Sequence, residues 1–265
     1  MRSELLYESI GTMREYLKKN ELLIAKSTMV VTALIGNVSM FFFVIFLFIG
    51  PLRLFRMGLS EIAVLAWDGI LSIMFFAQHS LMIRRSFRNL LSGIIPSHYK
   101  DAAYTIVSGI LLASVVIFWQ TSATVLYELQ GFMRWMVRGI FFMGIAGIGW
   151  GVYALKFFDP YGRAAIRDHL SGKPPRLQQF SVYGPYRWVR HPLYFFVILL
   201  IWSCPDLTID RLLFNFLWTT WIYIGTILEE KDLVSDFGDD YRQYQGKVPM
   251  PVSYTHLTLP TTPYV

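Results

Sequence analysis

Residues 29–50 read MVVTALIGNVSMFFFVIFLFIG and contain no Asp, Glu, Lys or Arg. As a helix rising 1.5 Å per residue, this run reaches about 33 Å, enough to cross a hydrocarbon core of about 30 Å. The run decides the class, because backbone polar groups at membrane depth must be satisfied internally, and a helix does that. The composition agrees. Of the 265 residues only 16% are charged and 54% are hydrophobic, against roughly 25% charged in soluble domains. Mean hydropathy is +0.44. This apolar content excludes disorder, and the single cysteine, Cys204, excludes a disulfide scaffold.

Outward from that run, the sequence predicts an amphipathic surface helix over 3–26 and further spans over 59–82, 102–119, 135–155, 193–204 and 212–228. The stretch 193–204 is short for a full crossing and is expected to form one arm of a helical hairpin. The expected fold class is therefore all-α: a polytopic membrane helix bundle of five to six spans with a C-terminal helical hairpin and a cytoplasmic C-terminal helix. Residues 1–28 form the N-terminal segment, 29–158 the first four spans, and 159–250 the C-terminal region. The tail at 252–265, VSYTHLTLPTTPYV, has no charged residue. It resembles the translation of a sequencing-library adapter, so 251–265, including His256, is expected to be non-native.

Of the 24 lysines and arginines, nineteen fall on one side of these spans; Arg53, Arg56, Arg134, Arg138 and Arg211 fall on the other. The positive-inside rule then places both termini in the cytoplasm, with a bacterial inner membrane as the expected residence. The net charge of +6 becomes a mark of topology. No basic folded face points to nucleic acid, and the partners expected are membrane lipid and a small or lipid-linked substrate. Gly144, Gly147, Gly149 and Gly151 superficially match a dinucleotide fingerprint, but they lie inside an apolar span. Gly147 and Gly151 fit the small-xxx-small spacing of close helix packing. Paired zinc-type cysteines and an HExxH motif are lacking, so no metal is expected.

The chemistry concentrates near the C-terminus. Residues 184–194, GPYRWVRHPLY, combine Arg187, Arg190 and His191 with Tyr186, Trp188 and Tyr194 where a loop enters the short apolar arm. Arginine can hold a carboxylate bidentately, histidine can move a proton, and Pro192 suits the first turn of a helix. The same segment also reads as a basic, aromatic interfacial anchor. The last span ends in LEEKDL, residues 228–233, which places Glu229 and Glu230 at a helix C-terminus. Carboxylates there are costly without polar partners and are disfavoured by the helix dipole. The hairpin returns them to the face that carries Arg187, Arg190 and His191. A site with both signs of charge suits a zwitterionic, positively charged cofactor. Tyr241 and Tyr244, three apart, either stack on a heterocycle or pack a surface helix onto the core. Farther upstream, His79 lies near one end of its span beside Gln78 and Ser80. It is the candidate base for an acceptor, or a helix-end histidine bonded to a carbonyl. Asp68, earlier in that span, points to a buried helix–helix hydrogen bond. His98 and His169 fall in polar loops and are expected to be solvated.

GPYRWVRHPLY, the hairpin, LEEKDL and FGDDYRQYQGKVPM (237–250) together resemble the C-terminal signature of integral-membrane methyltransferases. That group includes isoprenylcysteine carboxyl methyltransferases, phospholipid N-methyltransferases and NnrU-like proteins. Upstream, QHSLM (78–82) followed by Arg84, Arg85 and Phe87 is similar to the bacterial methanethiol S-methyltransferases. So is the loop FDPYG (158–162) with HLSGKP (169–174). The opening Gly184-Pro185-Tyr186 is closer to the isoprenylcysteine pattern.

The resemblance implies S-adenosylmethionine as cofactor and 159–250 as the region that binds it. Carried over by position, Tyr186, Arg187, Arg190, His191, Pro192, Tyr194, Glu229, Glu230, Tyr241 and Tyr244 bind the cofactor, and His79, Arg187 and Glu230 are the catalytic candidates. The implied reaction methylates methanethiol to dimethyl sulfide at the cytoplasmic membrane face. The alternatives are a carboxyl or lipid methyltransferase of isoprenylcysteine type and a non-catalytic NnrU-like protein. A transporter would distribute polar residues through repeated halves, whereas here they gather at one face.

Overall fold

A computed structural model describes residues 2–156, 159–174 and 180–250, with side chains from residue 15 onward. The expected non-native tail at 251–265, together with Phe158 and Arg176, lies outside the described residues.

The helices in chain order are α1 (Arg2–Ile49), α2 (Glu61–Ile83), α3 (Arg85–Leu90), α4 (Lys100–Phe118), α5 (Gly131–Ala154), α6 (Arg163–Leu170), α7 (Pro192–Trp202) and α8 (Ile209–Lys247). Five of them are long and apolar enough to cross a membrane, and α7 is a shorter apolar helix. The chain is an all-α polytopic membrane bundle. Its spans sit at the lower end of the expected number, because α7, with 11 residues, reaches only about 16 Å.

Two features depart from the sequence reading. The surface helix expected over 3–26 is the first part of one continuous helix, α1. No proline interrupts that helix until Pro51 follows Gly50 (φ +88). A small antiparallel ribbon, β1 (Val125–Glu128) with β2 (Asp206–Thr208), joins the α4–α5 and α7–α8 connections. Strands this short carry too little periodic signal to be read from sequence.

The chain divides into two compact units. The first comprises Met1–Val44, Met74–Val116 and Asp159–Leu177. Its packing centres on the fully buried Ala25, Ala102 and Ile166. At Gly162 (φ +64) an added Cβ would meet the Ala102 backbone nitrogen at 2.6 Å, so both conformation and space require glycine. Thr105 donates to the Pro160 carbonyl at 2.9 Å and so ties that loop to α4.

The second unit comprises Ile45–Ile73, Ile117–Phe158 and Gln178–Val265. Here three glycines of α5 receive a neighbour: Cβ atoms at Gly144 and Gly151 would lie 2.7 and 2.6 Å from Leu200 and Leu193, and one at Gly147 would overlap the Phe196 ring. The glycines let α7 seat Leu193, Phe196 and Leu200 directly on the α5 backbone. Phe46, Trp119 and Phe214 form a buried aromatic triangle with centroids 5.1–5.7 Å apart. Around it, carboxylates hold the segment after α4. Asp210 accepts from Trp119 Nε1 and the Ser122 amide, both at 3.0 Å, and Asp68 accepts from the Gln120 amide at 2.9 Å. Asp68 therefore bonds loop backbone rather than a side chain of a neighbouring helix.

Candidate functional site

The second unit gathers most of the C-terminal residues into one polar cluster. Gly184–Arg187 form a 3-10 turn with Pro185 at its start, and Pro192 opens α7. Both prolines occupy first-turn positions, where a missing N–H costs nothing. Opposite them, α8 is 39 residues long, nearly twice what one crossing needs. The part from Ile209 to Leu228, about 30 Å, is long enough to cross the apolar layer, and the remainder carries Glu229, Glu230, Tyr241 and Tyr244. Gly238 (φ 56, ψ −128) breaks the helix inside that remainder.

Glu230 is the hub. Its Oε1 accepts from Arg190 Nε at 2.9 Å and Tyr241 Oη at 2.9 Å, and lies 2.6 Å from His191 Nε2. Its Oε2 accepts from Gln245 Nε2. The side chains of Arg190, Glu230 and His191 are 12%, 10% and 6% exposed, so the network is shielded from solvent. Buried charge of both signs is tolerable here because the donors and acceptors are matched. Arg190 does a second job: its Nη1 donates to the Gln245 and Val248 carbonyls at 3.0 and 2.7 Å, closing the C-terminus of α8.

Glu229 differs. Its side chain is 43% exposed. It accepts from Tyr194 Oη at 2.6 Å and lies 3.7 Å from His191 Nδ1. The Tyr194 ring stacks on His191 at 5.5 Å and 10°, which orients that hydroxyl. Tyr244 Oη donates to the Tyr186 carbonyl at 2.5 Å, linking α8 to the 3-10 turn. Burial raises the pKa of the Tyr186 hydroxyl, as do the nearby Glu229 carboxylate and Tyr244. Arg187 is exposed and, among the described residues, makes no ion pair. Beside it Trp188 is 69% exposed and packs edge-on against Trp150 at 5.0 Å.

His79 belongs to the first unit. The Tyr104 hydroxyl lies 2.8 Å from its Nε2 and 3.0 Å from its Nδ1, and Phe75 flanks the ring at 5.2 Å. Gln78 donates to Ser108 Oγ at 3.1 Å, while its Oε1 is buried with no partner among the described residues. His98 and His169, expected to be solvated, stack at 3.7 Å, and His169 lies 3.1 Å from Glu21.

Sequence reasoning missed Gln245 and Tyr104. Gln245 adjoins Tyr244, but only the break at Gly238 returns it to Glu230. Tyr104 sits on α4, 25 residues from His79, and no local spacing signals that pairing. No group of three or more His, Cys, Asp or Glu able to hold a metal occurs among the described residues.

Comparison with known proteins adds a family. The chain is 34% identical over 184 residues to the methanethiol S-methyltransferase of Pseudomonas sp. (strain GM41(2012)), covering 69% of this chain and 71% of that protein. It is 31% identical over 198 residues to the methanethiol S-methyltransferase of Pseudomonas deceptionensis, covering 73% and 74%. Nurim of Mus musculus is 25% identical over 188 residues, covering 66% and 70%. No family model matches, and no solved structure matches.

Proposed function

This chain belongs to the methanethiol S-methyltransferase family of integral-membrane methyltransferases, and we propose that it transfers a methyl group from S-adenosylmethionine to a small thiol, methanethiol giving dimethyl sulfide. The names of its relatives support the acceptor class. The C-terminal cluster supports the donor.

The observation that carries the reading is the contrast between the two adjacent glutamates. Glu230 is saturated by four protein donors, whereas Glu229 is 43% exposed and held in place by Tyr194. An anchored carboxylate open on one side suits a ligand's ammonium or hydroxyl groups. Arg187, exposed and without an ion pair among the described residues, suits a carboxylate. Trp188 offers an exposed ring for a heterocycle. These residues fit the zwitterionic, heterocyclic cofactor named above, which when bound supplies a methyl group activated by sulfonium charge. Glu230 then acts as a positioning residue: it fixes Arg190, His191 and Tyr241, and Arg187 and Glu229 face the ligand.

Methyl transfer is an in-line displacement that depends chiefly on proximity and orientation. The acceptor sulfur's lone pair would form the new carbon–sulfur bond as the methyl–sulfonium bond breaks, its electron pair leaving with the donor as a neutral thioether, and the thiol proton would pass to a base. His79, oriented by Tyr104, is the proposed base for that proton. We place the reaction at the cytoplasmic face of a bacterial inner membrane, where the positive-inside rule puts both termini.

Equilibrium binding of labelled S-adenosylmethionine to the purified protein tests this. Saturable binding that weakens in Glu229→Gln and Arg187→Ala is expected. Its absence from well-folded protein would sink the proposal.

A further inference from the structure

We propose that the second unit holds another ligand site, at the end of α8 opposite Glu229 and Glu230, that binds a phosphate group. Twenty residues separate Ile209 from Glu229 on α8, which sets the two ends about 30 Å apart. At the far end lies a cavity of about 400 Å³, walled by the end of α1, the 121–123 segment, the β-ribbon and the start of α8. That volume falls in the range of small-molecule sites.

Its lining is cationic. Arg53, Arg138 and Arg211 face it, against the carboxylates Glu128 and Asp206. Arg134 already pairs Asp206. None of the three cavity arginines makes an ion pair among the described residues, although Arg211 is only 3% exposed. Part of their role is structural. Arg211 donates to the Phe46 and Leu47 carbonyls at 3.1 and 2.9 Å, and Arg138 to the Phe48 carbonyl, so both cap the last turn of α1. Each guanidinium has five N–H donors, and this capping leaves donors over on Arg138 and all of them on Arg53.

Capping accounts for neither of two further observations. Thr121 Oγ1, on the cavity wall, is buried with no partner among the described residues. Arg53 has φ 56 and is the one non-glycine residue in the left-handed region among the described residues. Strained backbone of this kind recurs at ligand clamps. An orphan hydroxyl, a strained arginine and two further guanidinium groups around one cavity call for an anion with several acceptor oxygens, which a phosphate group provides. It could belong to a phospholipid headgroup or to a free phosphate.

Calorimetric titration of the purified full chain separates these. The probes are dihexanoylphosphatidylglycerol, inorganic phosphate and dihexanoylglycerol, which lacks phosphate. We expect saturable binding of a phosphate-bearing probe, weakened about tenfold or more in Arg53→Ala and a few-fold in Thr121→Val, from the loss of charge-assisted and neutral hydrogen bonds. Tighter binding of the lipid than of phosphate assigns the site to a headgroup, and equal binding assigns it to the free anion. The proposal is overturned if neither phosphate probe binds, if dihexanoylglycerol binds as well as the phospholipid, or if folded Arg53→Ala keeps the wild-type affinity. Should Arg53→Ala not fold, unchanged affinity in Thr121→Val overturns it. Cofactor binding at the C-terminal cluster involves none of these residues, so the two sites stand or fall separately.

Discussion

His191 Nε2 lies 2.6 Å from Glu230 Oε1, tying the residue just before α7 to α8 across 39 positions of sequence. Both groups are buried, and the same carboxylate oxygen also meets Arg190 and Tyr241. The contact therefore closes the hairpin beside Glu229, whose carboxylate lies 3.7 Å from the other ring nitrogen of His191.

Removing the hub leaves buried donors without an acceptor. Glu230→Ala is expected to destabilise the protein by about 3–5 kcal/mol, the range for breaking one side of a buried ion pair. Glu230→Gln keeps an acceptor oxygen and loses less. Thermal unfolding in detergent checks the order. A Glu230→Ala variant as stable as wild type would contradict the hub role.

Glu229 behaves differently because it accepts one hydrogen bond, from Tyr194, lies 3.7 Å from His191 Nδ1 and is partly solvated. Glu229→Gln is expected to leave unfolding nearly unchanged while weakening S-adenosylmethionine binding about tenfold or more, the loss of a charge-assisted contact. Titration of the cofactor alongside a melting curve separates these effects.

His79→Gln is expected to lower kcat by about 10²–10⁴, the contribution of a positioned base, with KM for the cofactor unchanged. The residual rate should rise with pH, as free thiolate replaces the lost base. Tyr104→Phe, which removes the hydroxyl that lies 2.8 Å from His79 Nε2, should lower kcat less. A flat pH profile for His79→Gln would remove His79 from the mechanism.

The α5–α7 contact yields a paired test. Gly147→Ala pushes a methyl group into the Phe196 ring, whereas nothing lies within 4 Å of a Cβ at Gly149. Overpacking is expected to cost about 1–3 kcal/mol at Gly147. Gly149→Ala should stabilise slightly, since alanine is the better helix former by about 1 kcal/mol. Equal melting temperatures would contradict the packing.

The parts of this arrangement legible in sequence are those with local signatures. Uncharged runs mark the spans, Pro192 marks the start of α7, and the charge conflict of Glu229 and Glu230 at a helix end demands cations, which Arg190 and His191 supply. The glycine spacing of α5 foretells a close neighbour, though not that Leu193, Phe196 and Leu200 of α7 are that neighbour. The rest depends on long-range geometry. That Glu230 is saturated while Glu229 stays open follows from side-chain direction at the end of α8 and from the break at Gly238, which returns Gln245. The α1 cap made by Arg138 and Arg211 joins residues 90 and 165 positions apart, beyond any spacing argument.

The most direct measurement incubates the purified protein with S-adenosylmethionine carrying a CD3 group and with methanethiol, and reads the headspace by mass spectrometry. Methyl transfer to the thiol yields dimethyl sulfide three mass units heavier than the unlabelled compound, lost in Arg187→Ala. No labelled dimethyl sulfide, with the CD3 group appearing instead on a prenylcysteine carboxyl or a lipid, would contradict it.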